Sequence, residues 1–149
     1  MVIEKVKKYF DLEELVCPHV YNNKGLRAMA WDFFDPRLLE TLYVIREKLE
    51  KAIYVNNWAI GGGLSQRGLR CNVCILVAEK TALEKVYMSA HIQGNGIDFD
   101  VKGMSAEEVR TWIVENQEIL PHPIRLESGV SWIHMDMRND GKRGKVVMF

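Results

Sequence analysis

The run Ser89-Ala90-His91-Ile92-Gln93-Gly94-Asn95-Gly96-Ile97-Asp98-Phe99-Asp100-Val101 changes character at its middle. Its first half carries glycines that permit a tight return, whereas Gly96 to Val101 alternates in hydropathy and predicts a strand. Ser131-Trp132-Ile133-His134-Met135-Asp136-Met137-Arg138 alternates as well and predicts a second strand, with Ile124 to Glu127 before it and a Ser128-Gly129 turn between. Asn139-Asp140-Gly141 is a further turn signal, and Lys145 to Phe149 reads as a last strand. Upstream, Ile53-Tyr54-Val55 is β-branched and aromatic and leads as a strand into Trp58. The N-terminal third has the opposite signature. Asp11-Leu12-Glu13-Glu14 has the form of a capping box, and Asp35-Pro36 opens a helix whose apolar face is Leu38, Leu39, Leu42, Ile45 and Leu49. Ser105-Ala106-Glu107-Glu108 starts another helix, expected to run to about Glu118 before Pro121. The pattern leaves Leu76 to Val86 open between helix and irregular chain. Helices first and hairpin strands later define an α+β class, and the absence of repeats or linkers makes residues 1–149 one domain.

Composition narrows the function. Of 149 residues 48% are hydrophobic and 27% charged, which excludes a disordered or fibrous chain. Twenty basic residues balance twenty acidic ones, so no global field recruits nucleic acid or an anionic membrane. The basic turn of Arg138, Lys142, Arg143 and Lys145 reads as a solvated hairpin tip. No apolar run approaches the ~20 residues of a membrane span. Met1 to Lys8 holds basic residues without an apolar stretch behind them, so no secretory signal is expected and synthesis is cytoplasmic. Cys17, Cys71 and Cys74 are too few for a disulfide framework. A single C-x-x-C is weak as a zinc knuckle, and the three read as ordinary reduced or buried thiols. His19 and His122 read as loop residues beside prolines, and Trp58, Trp112 and Trp132 as core or cleft wall.

Two of the four histidines sit near carboxylates. The glycine loop allows His91 to fold back on Asp98, and strand alternation puts His134 and Asp136 on one face. Two imidazoles and one carboxylate with an open fourth position are what a catalytic zinc requires. Isolated, hydrogen-bonded histidines at a polar edge satisfy the same spacing.

Ser89-x-His91-x-x-Gly94-x-x-x-Asp98, followed by Trp132-Ile133-His134-Met135-Asp136, resembles the zinc D-Ala-D-Ala carboxypeptidase family. That family includes vancomycin-resistance peptidases and phage endolysins, and the hedgehog signalling domain shares its fold. Gly68-Leu69-Arg70 is similar to the family's S-G-Y-R segment, so the likeness covers roughly Trp58 to Arg138. The resemblance implies an antiparallel sheet with N-terminal helices and a helix between the two metal motifs. It implies zinc ligands His91, Asp98 and His134, an oxyanion-stabilising and substrate-binding Arg70 (with Arg67 as its rival), and a Ser89 that orients the His91 loop or binds substrate.

The general base is less determined. Some members place Glu three residues before the last histidine, where this chain has Ser131; hedgehog-type domains carry a Glu further upstream, which matches Glu127. Asp136 is the competing base, or else a residue that orients a ligand. Gly96 stands where the family has Ala, a change expected to be sterically harmless, and Trp132 excludes a histidine proton donor at its position. The implied activity is zinc-dependent hydrolysis of peptide bonds in peptidoglycan stem peptides, by a monomer that reaches the cell wall through phage- or lysis-mediated release. The alternative is an inactive zinc-binding module that binds peptidoglycan or a protein partner.

Overall fold

The computed structural model describes residues 1–149. Five helices precede the first strand: α1 (Val2–Val6), α2 (Leu12–Leu15), α3 (Pro18–Asn22), α4 (Lys24–Met29) and α5 (Pro36–Leu49). Only α5 is long. The Asp35 carboxylate accepts the Arg37 N–H at 2.9 Å, Pro36 fills the first turn, and Glu50 ends the helix in a left-handed conformation at φ 56°. Its apolar face, including Leu38, Leu42 and Ile45, is fully buried, and α1 packs along it. Helices of four to six residues such as α1 to α4 are not stable alone and depend on tertiary contacts.

The sheet comprises β1 (Ile53–Tyr54), β2 (Gly96–Val101), β3 (Ile124–Leu126), β4 (Ile133–Asp136) and β5 (Val146–Met148), in the order β1-β2-β4-β3-β5. Helix α6 (Ile75–Ala82) takes the first part of the Leu76–Val86 segment and the rest is turn and irregular chain, while α7 (Ala106–Glu115) separates β2 from β3. The capping box at Ser105 forms, but α7 stops at Glu115 and a 3-10 turn (Gln117–Ile119) covers the distance to Pro121. All pairings are antiparallel except β3 with β5. The purely antiparallel expectation fails at that edge because the chain leaves β4, passes over its neighbour β3, and returns along β3's far side in the same direction.

The two faces of the sheet are unlike. Ile97, Phe99, Ile133, Met135, Ile124 and Leu126 point into a hydrophobic cluster that also contains Val6, Leu15, Leu38 and Leu42 from the N-terminal helices. The alternate positions carry Asp98, His134, Asp136 and Arg125 on the opposite face. No helix is long and apolar enough to cross a membrane.

Candidate metal centre

Register builds the centre. Asp98 on β2 lies directly opposite His134 on β4, and Asp136 lies opposite Arg125 on β3. Glu127 continues the same row, its backbone N–H donating to the His134 carbonyl at 3.1 Å. His91 comes from the turn before β2 and is 3% exposed. That turn is closed by Ser89, whose Oγ accepts the Ile92 N–H at 3.3 Å.

The turn also approaches the strand closely. A Cβ on Gly96 would sit 2.4 Å from the Ala90 Cβ, so glycine at this position is sterically harmless, as expected, and is moreover required.

Each imidazole is oriented by a second partner. His91 Nδ1 donates to the Gly68 carbonyl at 2.9 Å, which leaves Nε2 facing Asp98 Oδ2 at 3.3 Å. His134 Nδ1 lies 2.6 Å from Asp98 Oδ1, and its Nε2 lies 3.2 Å from Asp136 Oδ2. The two rings are 5.2 Å apart, and the ligand-capable atoms of His91, Asp98 and His134 all fall within 4.8 Å of one another. Two neutral-capable nitrogens and one carboxylate oxygen at that separation fit a zinc ion with a further position open to the cleft.

Charge is concentrated here. Burial opposes ionisation of Asp98, but hydrogen bonds from His134 and His91 outweigh it and hold the carboxyl well below the usual range. Burial likewise opposes a charge on His134, yet its bonds to Asp136 and Asp98 raise it to about 9. Asp136 is 1% exposed and fully engaged. Oδ1 accepts Arg125 Nε at 2.8 Å and the Arg138 backbone N–H at 3.0 Å, and Oδ2 accepts Arg125 Nη2 at 2.8 Å as well as facing His134. Burial is again outweighed, by Arg125 first, and the Asp136 carboxyl is held well below its ordinary value.

Of the two candidate arginines, Arg70 reaches the centre. Its Nη2 is 3.4 Å from Asp98 Oδ2, Nε donates to the Gln66 carbonyl, and Nη1 donates to the Tyr87 hydroxyl at 3.3 Å. Arg67 is drawn two residues along β2 to Asp100 at 2.6 Å. A cleft of about 440 Å³ is lined by Arg70, Ser89, His91, Asp98, Glu127, His134 and Asp136 together, with Trp132 as a wall.

Other residues of this cleft escaped the sequence reading. Arg125 was findable, since hairpin register places it across from Asp136, but Tyr87 lies in irregular chain with no period to betray it. Arg138 is not part of a solvated tip: its guanidinium holds Gln93 Oε1 at 3.0 Å and the Met88 carbonyl, on the cleft wall. His122 pairs with Glu40 at 2.7 Å.

The cysteines depart furthest from expectation. Cys17, Cys71 and Cys74 converge with His19, which sits in α3 rather than a loop, and these four could hold a metal ion. Val16 and Leu69 form an isolated parallel bridge between the two segments, a pairing no local pattern announces. No protein-family model, no curated protein and no solved structure matches this chain.

Proposed function

We propose that this chain is a zinc peptidase that hydrolyses peptide bonds in peptidoglycan stem peptides, as a D-Ala-D-Ala carboxypeptidase or an endolysin-type endopeptidase. The observation that carries this reading is the cross-strand pair Asp98–His134 capped by His91, whose Nδ1 is fixed on the Gly68 carbonyl, within a cleft that also holds Glu127 and Arg70. His91, Asp98 and His134 would hold the zinc. Zinc in such a site supplies Lewis acidity and makes water a stronger acid.

The remaining chemistry belongs to side chains of this protein. Glu127 would accept the proton of the attacking water and deliver it to the leaving amine. Its backbone is pinned beside His134, it lines the same cleft, and its carboxylate is not tied up by an arginine as that of Asp136 is. Asp136 has no such freedom. With both oxygens committed to Arg125, Arg138 and His134, it would orient His134 rather than act as base. Arg70 would place positive charge where the scissile carbonyl oxygen gains negative charge. Ser89 would hold the His91 turn at the cleft edge.

The test is mass spectrometry of purified muropeptides and of D-Ala-terminated stem peptides after incubation with zinc-loaded protein. Cleavage is expected, is abolished by chelator, and falls at least ~100-fold in Glu127→Gln with zinc content unchanged. If Asp136→Asn is the dead variant and Glu127→Gln is nearly normal, the two roles are reversed. Binding of these peptides without any cleavage would favour the inactive module.

A further inference from the structure

We propose that Cys17, His19, Cys71 and Cys74 bind a second zinc ion, a structural one, that fastens the N-terminal helices to the turn following Arg70. The site is separate from the cleft and does not depend on the peptidase reading.

All three cysteines of the chain meet at this one place, together with one of its four histidines. Cys71 Sγ lies 3.6 Å from His19 Nδ1, Cys74 Sγ lies 3.8 Å from the same nitrogen, and the two sulfurs are 3.9 Å apart. Ligands at zinc–sulfur and zinc–nitrogen bond lengths of about 2.3 and 2.0 Å on a tetrahedron stand roughly 3.5–3.8 Å apart. Cys71, Cys74 and His19 are therefore already close to the spacing of a Cys3His site, and the Cys17 sulfur lies within 4.8 Å of each of them.

The backbone supports the same assignment. Cys71-Asn72-Val73-Cys74 forms a turn in which the Cys74 N–H donates to the Cys71 carbonyl at 3.2 Å and the Cys71 N–H points at the Cys74 sulfur at 3.4 Å. An amide aimed at sulfur favours the thiolate, the form that binds metal. Cys17 and Cys74 are buried, while His19 is exposed and leaves a side from which an ion can arrive. Three free thiols at the edge of the core, packed together beside an imidazole, have a simple use if a cation joins them.

The position gives the ion a task. The two ligand pairs are more than fifty residues apart in sequence, and α2 and α3, which flank Cys17, are too short to hold themselves. Between the pairs run the Leu69 N–H to Leu15 carbonyl bond at 2.8 Å and the Cys17 N–H to Leu69 carbonyl bond at 3.2 Å. The same short segment supplies the Gly68 carbonyl that orients His91, and the Arg70 N–H that donates to the His91 carbonyl at 3.2 Å. Clamping Cys71 to Cys17 thus fixes both neighbours of the cleft.

The experiment uses the full chain purified under reducing conditions with zinc present. Thiols are titrated with a chromogenic disulfide before and after chelator, and the metal is then exchanged for Co2+. The expected result is three thiols protected until chelator is added, and a cobalt form with intense sulfur-to-cobalt charge-transfer absorption in the near ultraviolet. That absorption should persist in His134→Ala and vanish in Cys74→Ser. Should Cys74→Ser not fold, the wild-type thiol and cobalt readings still decide. Thiols that react equally with and without chelator, a cobalt form lacking charge-transfer absorption, or a Cys71–Cys74 disulfide that survives zinc would overturn the proposal.

Discussion

Replacing Gly96 with alanine adds a single methyl group at the point where the His91 turn crosses β2. The added Cβ would lie 2.4 Å from the Ala90 Cβ, 3.2 Å from the Ala90 carbonyl carbon and 3.4 Å from its Cα. Carbon atoms pack at about 3.5–4.0 Å, so the first contact is short by more than an ångström and a rotamer change cannot relieve it. Either the turn or the strand must shift, and the strand is held on both sides by its ladders. Overpacking of this kind costs about 1–3 kcal/mol. For a chain of 149 residues that corresponds to a melting temperature lower by roughly 3–10 °C. The turn bears His91 one residue beyond Ala90, so zinc affinity at the cleft should fall along with stability. Removing the opposing methyl in Gly96→Ala/Ala90→Gly leaves 3.2 Å as the tightest approach and should recover much of the loss, less about 0.5–1 kcal/mol for the new loop glycine. Thermal unfolding followed by circular dichroism, with zinc titrations on wild type and the two variants, measures both effects. A Gly96→Ala variant within ~0.3 kcal/mol of wild type, or a double variant no better than the single one, would refute the reasoning.

Three further outcomes are expected. Asp35→Ala removes the cap of α5 and its bond to Arg37, at a cost of about 1 kcal/mol at neutral pH. Because Arg37 holds the Asp35 carboxyl below its ordinary value, that stability is present above the unfolded pKa of ~3.9 and is lost as pH falls through the folded one. Melting temperatures of variant and wild type should therefore converge in strong acid. Arg125→Met leaves Asp136 buried without its cation and should cost about 3 kcal/mol in urea unfolding, whereas Arg125→Met/Asp136→Leu should cost less than the two single changes added together. Arg70→Ala should reduce peptide cleavage by ~100-fold or more with the His91 site still binding zinc, and an unchanged rate would remove Arg70 from the oxyanion role.

What the sequence disclosed follows from which interactions are local. Alternation over Gly96–Val101 and Ile133–Asp136 makes the strands readable, and it puts His134 and Asp136 on one face. The capping residues Asp35 and Ser105 marked helix starts because their side chains bond amides two or three residues away. The convergence of Cys17 and His19 on Cys71 and Cys74 was illegible for the opposite reason. It depends on the bridge between Val16 and Leu69, a pairing across fifty-three residues that leaves no period in either segment. The engagement of Asp136 was partly hidden, since its partner Arg125 is legible only after the β3–β4 register is known. The requirement for Gly96 was hidden too, because a close approach of two backbones has no signature in composition.

Precision at the cleft derives from packing on the other side of the sheet. Side chains alternate with a period of two, so a one-residue slip of β4 against β2 would move His134 and Asp136 into the core and bring Ile133 and Met135 out. Ile97, Phe99, Ile133 and Met135 are at most 1% exposed, which makes that slip prohibitively costly and holds Asp98 opposite His134. The backbone placement of the two strand-borne candidate ligands is thus set by the ladder, and Asp136 has only the His134 ring to orient. His91 has no ladder to hold it, and its restraints are individual: the Gly68 carbonyl, the Arg70 N–H to His91 carbonyl bond at 3.2 Å, the Asn95 N–H to Ala90 carbonyl bond at 3.0 Å, the Asp35 N–H to Gly94 carbonyl bond at 2.9 Å, and contact of its turn with Gly96. Conservative core substitutions in β2 or β4 should therefore lower stability while leaving the relative placement of Asp98 and His134 intact. Substitutions at Gly68, Gly96 or the cysteine cluster act on the one candidate ligand whose position the sheet does not guarantee, and their effect on metal affinity should exceed what their stability loss alone accounts for.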